Sequence, residues 1–462
     1  MTNSLGRRGL IRLAAGAALL GLLAGACSSS SKSSASAGSQ GGGSSTSATS
    51  GGSGSGSTAS GNKASAPGIT PTEITIGSHQ PLTGPAAPGY SEIAPASNAY
   101  FQWVNDHGGV YGRHITYKFL DDGYNPANTT SVVRQLTLQD NVFAIFDGLG
   151  TPTHLAVRDL LNTQKVPDLF VASGCTCWND VAKAPYTFGF QPDYTVEGKI
   201  LGQKINQAYA GKKVGYFSQA DDFGTNGVKG LDSQIKGADV VSRQTYTPTN
   251  TSITPQISAL QAAGVEVIAS FSIPAFTAIE LLTAAKLNYH PTFVVSNVGT
   301  DPPTLGGLVG KISKGLAGAS LIEGVVTDSY IPPVGDTSNP WIADFKQVYD
   351  KYISTLPFDG NVEFGMAVAY AFVQTMLASG QNPTRADVVK ALESSHFQGP
   401  GLVPFSYSKT DHQGYTGVQI GSIKGGVIAL EGTPYTTTDT GPIQAYTTAP
   451  ITPPPNAIPS KP

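Results

Sequence analysis

Residues 142–172, VFAIFDGLGTPTHLAVRDLLNTQKVPDLFVA, contain the repeating unit from which the fold can be predicted. The continuous apolar run at 142–146 is typical of a strand that is covered on both faces. Helical spacing of apolar residues follows from His154 to Thr163, and a second apolar run occupies 168–172. A strand, a helix and a strand in this order predict two parallel strands connected by a helix.

The same alternation continues on both sides of this stretch. Further strands are predicted at Glu73–Gly77, His114–Leu120, Val214–Phe217, Val240–Tyr246, Val265–Phe271 and Thr292–Val295. Helical stripes lie between them, and the series restarts after Pro192. This pattern predicts an α/β protein with two doubly wound parallel-sheet lobes. Because such sheets bind ligands beyond the carboxyl ends of their strands and between domains, we expect a ligand cleft between the lobes.

The N-terminal residues indicate where the protein works. Arg7 and Arg8 precede an apolar run at 13–26, which is too short to span a membrane. Small residues then precede Cys27, so that residues 1–26 resemble a bacterial lipoprotein signal peptide. The resemblance implies that Cys27 is lipidated and becomes the mature N-terminus, whereas a buried thiol is the alternative. The paired arginines also resemble a twin-arginine export signal, and export by the general route is the other possibility.

Composition separates two terminal segments from a central body. Residues 27–67 consist almost entirely of Ser, Gly, Ala and Thr and are predicted to form a flexible tether. The Thr- and Pro-rich residues 436–462 are predicted to form a loose tail. The body between them is too long for one ordinary core and suits two domains. A net charge of −3 without a basic stripe argues against nucleic acid as a partner.

Several motifs together resemble the leucine/isoleucine/valine-binding family of periplasmic-binding-protein-type (type I) receptors, which are the solute-capturing subunits of ABC importers. These motifs are Pro81-Leu82-Thr83-Gly84-Pro85, Asn105-Asp106-His107-Gly108-Gly109, Asp121-Asp122, Asp222-Phe223-Gly224 and Gly399-Pro400. None is specific alone, but their order and spacing fit the family over roughly 72–430. The family's three crossings between lobes imply 72–191 plus 324–398 for lobe 1 and 192–323 plus 399–432 for lobe 2.

The first loop that would hold a solute is 148–153. It leads from a strand end into a helix N-terminus, whose free N–H groups and dipole favour an anion such as a carboxylate. The hydroxyls of Thr151 and Thr153 would add hydrogen bonds, and the resemblance places a ligand carboxylate here. An ordinary capped helix start is the alternative, since Thr is a good N-cap residue.

The second loop, after the next strand, contains two cysteines. By the resemblance, Gly174 would offer main-chain groups and Thr176 a hydroxyl to the solute. With Cys27 lipidated, Cys175 and Cys177 are the remaining cysteines, in an oxidising compartment. We hypothesise a disulfide between them that fixes Thr176, with two free thiols as the alternative. Two thiols without a matched His or Cys pair fall short of a metal site, so neither a metal nor a cofactor is expected.

The remaining candidate residues come from other strand ends. By the family resemblance, the aromatic side chains that would close over the ligand are those of Phe223 and, from the first lobe, Tyr90. Ser272 and Asn297 stand where amino-acid-binding relatives carry an aromatic and an acidic residue. A buried ammonium group without a carboxylate partner is unfavourable, although Asp193 or Asp222 could supply one. The ligand is therefore predicted as a small polar metabolite, with an amino acid, an amide and a carboxylate as alternatives.

No enzyme signature is found in the sequence. It lacks His-Glu-x-x-His, a strand-borne Gly-x-Ser-x-Gly and a phosphate-binding Gly-x-x-x-x-Gly-Lys motif, and His154 has no visible nucleophile beside it. We therefore predict a non-enzymatic receptor that is lipid-anchored at the extracytoplasmic face of the cell membrane. Its expected partners are a small solute and the permease subunits of an ABC transporter. A surface lipoprotein that senses its ligand and signals to a membrane protein without transport is the alternative.

Overall fold

The structure is a computed structural model that describes residues 61–235 and 239–460. The predicted signal peptide, Cys27 and most of the predicted tether lie outside the described residues. The last part of that tether, 61–67, is nevertheless attached to the body. Asn62 donates to the carbonyl oxygens of Pro71 and Tyr111, and Ser65 donates to that of Pro383. The prediction of a flexible segment is corrected for these residues, because polar groups of the body satisfy them.

Strands and helices alternate through most of the described chain. The strands are β1 (Glu73–Gln80), β2 (His114–Asp121), β3 (Ile145–Phe146), β4 (Asp168–Val171), β5 (Thr187–Gly189), β6 (Val214–Gln219), β7 (Val240–Tyr246), β8 (Val267–Phe271), β9 (Thr292–Val295), β10 (Val326–Ser329), β11 (Phe405–Ser408), β12 (Asp411–Tyr415), β13 (Gly417–Lys424), β14 (Val427–Leu430), β15 (Tyr435–Thr436) and β16 (Gln444–Ala445). The helices are α1 (Ala87–Tyr90), α2 (Ile93–Asp106), α3 (Pro126–Arg134), α4 (Thr151–Thr163), α5 (Tyr194–Ala208), α6 (Asp222–Gln234), α7 (Thr254–Ala262), α8 (Pro274–Lys286), α9 (Pro302–Ile312), α10 (Pro340–Tyr352), α11 (Gly360–Ala378) and α12 (Arg385–Ser394).

Two large sheets organise these elements. The first is entirely parallel, in the order β2-β1-β3-β4-β5. The second has the order β16-β15-β13-β10-β9-β8-β6-β7, with β14 paired to β13. Its strands β6 to β10 are parallel, whereas β13 to β16 pair antiparallel. The predicted α/β class with two parallel-sheet lobes is confirmed, with the correction that the second sheet is mixed.

Local signals explain where elements begin. Asp359 precedes α11, and its side chain accepts from the main-chain N–H groups of Asn361 and Val362. Thr384 and Asp387 form a capping box at the start of α12. Strands β4 and β6 are buried along their whole length, as expected for strands covered on both faces. Among the described residues, no helix combines the length and apolar character that crossing a membrane requires.

Two segments lie elsewhere than the family resemblance implied. Strand β10, inside the segment 324–398 assigned to lobe 1, lies in the second sheet because it continues the ladder of β9. Strands β11 and β12, inside 399–432, form a separate hairpin beside β5 of the first sheet. There, Tyr407 donates to the carbonyl oxygen of Gly189. The lobe boundaries as a whole remain a prediction.

The C-terminal strap (residues 435–460) is not the loose tail that its composition predicted. Its first strand, β15, pairs antiparallel with β13. Its later part accepts hydrogen bonds from the side chains of Tyr100 and Trp341, at the carbonyl oxygens of Ala457 and Ile451. The strap can be rich in proline because its extended backbone is held mainly through its carbonyl groups. Side chains of the body donate to those carbonyl groups. The strap therefore contacts both the second sheet and helices α2 and α10.

Candidate ligand-binding site

A cavity of about 360 Å³ opens between the two sheets. Residues that follow β3 and β4, such as Thr151 and Ala172, line one side. Residues that follow β8, β9 and β10, namely Ile273, Asn297 and Tyr330, line the other. The volume suits a small organic molecule, and the position is the expected one for paired parallel sheets.

Four of the eight candidate contact residues line this cavity. They are Tyr90, Thr151, Phe223 and Asn297. Phe223 packs against Tyr194 with a distance of 4.5 Å between ring centroids. These four residues approach the cavity from the two sheets, as a closing cleft requires.

The other four candidates lie outside the cavity lining. Thr153 donates to the carbonyl oxygen of Leu149 at 2.6 Å, and the hydroxyls of Ser272 and Thr277 are 2.7 Å apart. These side chains are buried and stabilise their own loops. The direct ligand contacts predicted for Thr153 and Ser272 stay predictions, and in this structure each hydroxyl has a hydrogen-bond partner within its own loop.

Gly174 and Thr176 also lie outside the cavity lining and form hydrogen bonds with other parts of the protein. The carbonyl oxygen of Gly174 accepts from the N–H of Tyr194 at 2.7 Å, and a Cβ at this glycine would lie 2.5 Å from the carbonyl oxygen of Pro192. Thr176 donates from its main-chain N–H and its hydroxyl to Asn226 Oδ1, at 2.9 and 3.2 Å. Asn226 belongs to α6, so Thr176 connects the two sides of the molecule and does not face the cavity.

The structure joins Cys175 and Cys177 by a disulfide, with a Cα–Cα distance of 5.1 Å. The bond encloses Thr176 at the start of a 3-10 turn over Thr176–Asn179. It therefore holds the residue that contacts Asn226, whereas the hypothesis placed that residue against the solute.

The loop before α4 offers fewer anion donors than its sequence suggested. Gly150 has φ +102°, and a Cβ there would lie 2.5 Å from Thr153 Oγ1, so the turn requires glycine. Pro152 occupies the first turn of the helix and has no N–H group. The hydroxyl of Thr151 already shares a hydrogen bond of 2.7 Å with Ser173. A ligand anion would therefore find only a partial set of donors.

A buried histidine array supports this loop from below. Asp122, His79, His154 and Asp168 form three successive hydrogen bonds of 2.8, 2.9 and 2.8 Å, and all four side chains are buried. Burial lowers the pKa of His79. None of the four residues lines the cavity, so the array is part of the scaffold.

Glycine is required where the chain passes this array. A Cβ at Gly148 would lie 2.5 Å from His154 Nδ1 and 2.7 Å from His79 Nε2. Contacts this short do not occur between real side chains. The array therefore leaves room only for glycine at position 148. The first loop of the cavity is thus fixed by buried polar groups behind it.

The cavity is also lined by three carboxyl side chains that the sequence analysis did not single out. They are Asp301, Asp328 and Glu363. Asp193 instead caps α5 by accepting from the N–H of Val196, and Asp222 lies in the exposed first turn of α6. Neither of these two predicted alternatives lines the cavity.

Asn297 is held between two of the acidic residues. Its main-chain N–H and its Nδ2 donate to Glu197 Oε1 at 3.0 and 2.9 Å, and Nδ2 also donates to Asp328 Oδ1 at 2.8 Å. Burial and then the charge of Asp328 raise the pKa of Glu197 well above its ordinary value. Burial raises the pKa of Asp328 to about 7. Asn297 thus lies beside two carboxyl groups, of which that of Asp328 lines the cavity.

Asp301, the N-cap residue of α9, and Glu363, in the first turn of α11, both line the cavity. Asp301 accepts from the N–H of Thr304 at 3.0 Å and from the N–H of Gly360 at 2.9 Å. Burial and then the charge of Asp359 raise the pKa of Asp301 to about 7. Burial, followed by the charge of Asp301, raises the pKa of Glu363 well above its ordinary value. Glu363 Oε1 is buried without a hydrogen-bond partner among the described residues.

The acidic residues carried only a weak signal in the sequence. Asp359-Gly360-Asn361-Val362-Glu363 matches an ordinary helix start with an acid in its first turn. Asp301 precedes Pro302-Pro303 in the same way. Their shared position at one cavity appears only when α9 and α11 are packed together.

Comparisons with known proteins match this architecture. The periplasmic binding protein family model matches residues 73–427. A curated relative, the Leu/Ile/Val-binding protein homolog 3 of Brucella melitensis biotype 1, is 24% identical over 216 residues. That alignment covers 42% of this chain and 53% of the relative, so it spans about half the length of the curated relative.

Two solved structures illustrate the shared fold. A fatty acid ABC transporter substrate-binding protein from Thermomonospora curvata superimposes with a TM-score of 0.70 at 22% identity, over 82% of this chain and 96% of that one. A branched chain amino acid ABC transporter protein from Thermus thermophilus with bound valine gives a TM-score of 0.70 at 20% identity, over 80% and 97% of the two chains.

Proteins of the matched family bind small-molecule solutes outside the cytoplasm and typically work with ABC transporter permeases. The family model covers most of this chain, and the paired sheets with a cavity between them agree with it. The chain therefore belongs to the periplasmic binding protein family, with the type I fold.

Proposed function

We propose that this protein is the solute-binding component of an ABC importer and that it captures a small organic metabolite by closing two lobes around it. The observation that carries the proposal is the cavity lined from both sheets, at the carboxyl ends of their strands. A binding site divided between two bodies is filled or emptied when those bodies move relative to each other.

Hydrogen bonds across the cavity support this closure. Tyr90, after β1, donates to the carbonyl oxygen of Val298, after β9, at 2.6 Å. Gln219, at the end of β6, lies 3.4 Å from the hydroxyl of Tyr124, after β2. Such contacts favour the closed arrangement, so a solute that binds both sides adds to a preference already built into the chain.

Ligand-dependent stabilisation tests solute binding directly. A metabolite present at about 1,000 times its dissociation constant adds about 4 kcal/mol to the free energy of unfolding. A thermal-shift screen of amino acids, amides, carboxylates and amines on the purified protein should therefore find a ligand that raises the melting temperature. Phe223→Ala should weaken that response, whereas Val241→Ala, on the exposed part of β7, should leave it intact. No response to any class would contradict the proposal.

Transport is tested in cells. Deletion of the protein should abolish uptake of the identified ligand, and wild-type protein should restore it. Intact uptake with loss of a ligand-dependent cellular response would instead favour the sensing lipoprotein. We further propose that the protein is anchored at the extracytoplasmic face of the membrane through lipid on Cys27. Cys27→Ser should release the protein from the membrane fraction, and unchanged fractionation would contradict the anchor.

A further inference from the structure

The cavity wall is acidic and has no positive counterpart. Asp301, Asp328 and Glu363 line it, and within the described chain no Lys, Arg or His side chain contributes to that lining. An anionic ligand would therefore meet carboxyl groups without a cation to offset them.

Glu363 carries the strongest indication of a missing partner. Its side chain is 1% exposed, yet its Oε1 has no hydrogen-bond partner among the described residues. A buried carboxyl group in this position either stays protonated or pairs with a cation. Burial and then the charge of Asp301 raise the pKa of Glu363, in agreement with this geometry.

The two other carboxyl groups are held by neutral donors. Asp301 accepts from main-chain N–H groups, and Asp328 Oδ1 accepts from the amide of Asn297. Neither forms an ion pair within the described chain. The protein thus positions these groups firmly without pairing either with a positively charged side chain.

Aromatic side chains line the cavity together with these carboxyl groups. Those that line it include Tyr90, Tyr124, Tyr194, Phe223 and Tyr330. The negative faces of aromatic rings attract ammonium groups, and the attraction grows when water is excluded. Toward the β13–β14 hairpin the lining becomes apolar, with Val334, Val427 and Ile428, which suits the hydrocarbon part of a ligand.

The helix N-terminus opposite does not offset this acidity. Pro152 removes one N–H donor from the first turn of α4, and the Thr151 hydroxyl is already bonded to Ser173. A carboxylate ligand would therefore find few donors there, and no positively charged side chain in the described part of the cavity lining would compensate for them.

From this arrangement we infer that the cavity binds an organic cation, an amine or quaternary ammonium with a compact apolar body, whose charge lies against Glu363 and the neighbouring carboxyl groups. The inference rests on the proposed solute-binding function and names the ligand class for the same cavity. It differs from an amino-acid specificity because the ligand needs no carboxylate of its own.

Four probes that share one apolar body test the inference. They are 2-phenylethylamine as the cation, phenylalanine as the zwitterion, 3-phenylpropanoate as the anion and 2-phenylethanol as the neutral analogue. In isothermal titration calorimetry of the full-length protein, the amine should bind at least about tenfold more tightly than the alcohol, which corresponds to about 1.4 kcal/mol. It should also bind more tightly than the zwitterion and the anion.

A substitution of Glu363 tests whether the preference for the amine depends on the carboxyl groups of the cavity. Glu363→Gln keeps the size of the side chain and should reduce the affinity for 2-phenylethylamine at least about tenfold, with little effect on 2-phenylethanol. Asp222→Asn, which removes an exposed carboxyl group away from the cavity, is the matched control and should change neither affinity.

The outcomes separate the two proposals. Tighter binding of phenylalanine or 3-phenylpropanoate than of the amine would overturn the cation inference and leave the solute-binding function intact. Equal binding of amine and alcohol, or an unchanged amine affinity in Glu363→Gln, would also overturn it. If no probe binds and no metabolite of any class stabilises the protein, both proposals fail.

Discussion

At the scale of single residues, Glu280 is a buried acid without a role in the cavity. Ser270 donates to its Oε1 at 2.7 Å, while Oε2 is buried without a partner among the described residues. Burial raises the pKa of Glu280 to about 8. Because the folded-state pKa lies above that of the unfolded chain, this residue's contribution to stability is complete at low pH. That contribution is lost as the pH rises toward 8.

Glu280→Gln should therefore flatten the dependence of unfolding on pH. The pKa shift corresponds to at most about 5 kcal/mol, so the variant should gain stability relative to wild type between roughly pH 5 and 8. Urea denaturation at both pH values measures the difference. Glu323→Gln, at an exposed turn, is the control for loss of one carboxyl group. An identical pH slope in wild type and Glu280→Gln would contradict the prediction.

The histidine array gives a second prediction at this scale. His154→Gln would leave Asp168 and His79 without their shared partner in a fully buried position. Removing one member of a buried polar network typically reduces the free energy of unfolding by about 3 kcal/mol or more. The urea midpoint should fall accordingly, whereas His107→Gln on the exposed end of α2 should leave it nearly unchanged. Equal midpoints for the two variants would be the contrary result.

Residue positions were predicted better than side-chain directions. Strand ends correctly suggested that Thr151 and Asn297 would lie near the cavity. Thr153 and Ser272 also follow strands but do not line the cavity, because their hydroxyls bond to a nearby main-chain carbonyl or a neighbouring hydroxyl. Spacing along the chain does not show which choice a hydroxyl makes.

At the scale of elements, α6 and the disulfide-bearing turn contribute to closure. Thr176 donates twice to Asn226, which lies on α6 beside the second sheet. Neither residue lines the cavity, so their contact acts on ligand binding only through the closed arrangement.

Asn226→Ala should therefore weaken binding of any ligand found in the thermal-shift screen. Loss of hydrogen bonds worth about 1 kcal/mol in the closed form reduces the affinity roughly fivefold. Titration calorimetry measures the change, with Asn206→Ala, on the exposed side of α5, as the control. Unaltered affinity in Asn226→Ala would mean that this contact is present in open and closed forms alike.

The bond between Cys175 and Cys177 is tested separately. The intact protein should gain the mass of two hydrogen atoms on reduction of this bond, and neither cysteine should be alkylated before reduction. Reduction should also weaken ligand binding to the same extent as Asn226→Ala, because both changes loosen the turn that contacts α6. Free thiols in the untreated protein would contradict the pairing.

At the scale of the whole molecule, the C-terminal strap connects regions that the rest of the fold keeps apart. The ammonium group of Lys199 on α5 donates to the hydroxyl of Thr437 and to the carbonyl oxygens of Thr438 and Gly441. Farther along, Trp341 on α10 donates to the carbonyl oxygen of Ile451. The family model ends at residue 427, so the strap lies beyond the matched region.

Deletion of residues 447–462 should destabilise the protein. It would remove the acceptors of Tyr100 and Trp341 and expose the apolar surface beneath them. We expect a loss of about 3 kcal/mol in the free energy of unfolding, measured by urea denaturation. Trp341→Phe removes one of these hydrogen bonds together with part of a buried ring, and should lose at least about 1 kcal/mol. An unchanged midpoint for the deletion would mean that the strap contributes no net stability.

The sequence by itself determined the alternation of strands and helices, the parallel pairing and hence the edge at which a ligand binds. These features follow from local patterns, because apolar runs and helical spacing are properties of neighbouring residues. The tertiary structure alone decided that Asp301, Asp328 and Glu363 meet at one cavity and that the C-terminal strap is packed on the body. These residues are far apart in the chain, and only the packing of α9, α11 and β10 determines that their side chains line one cavity.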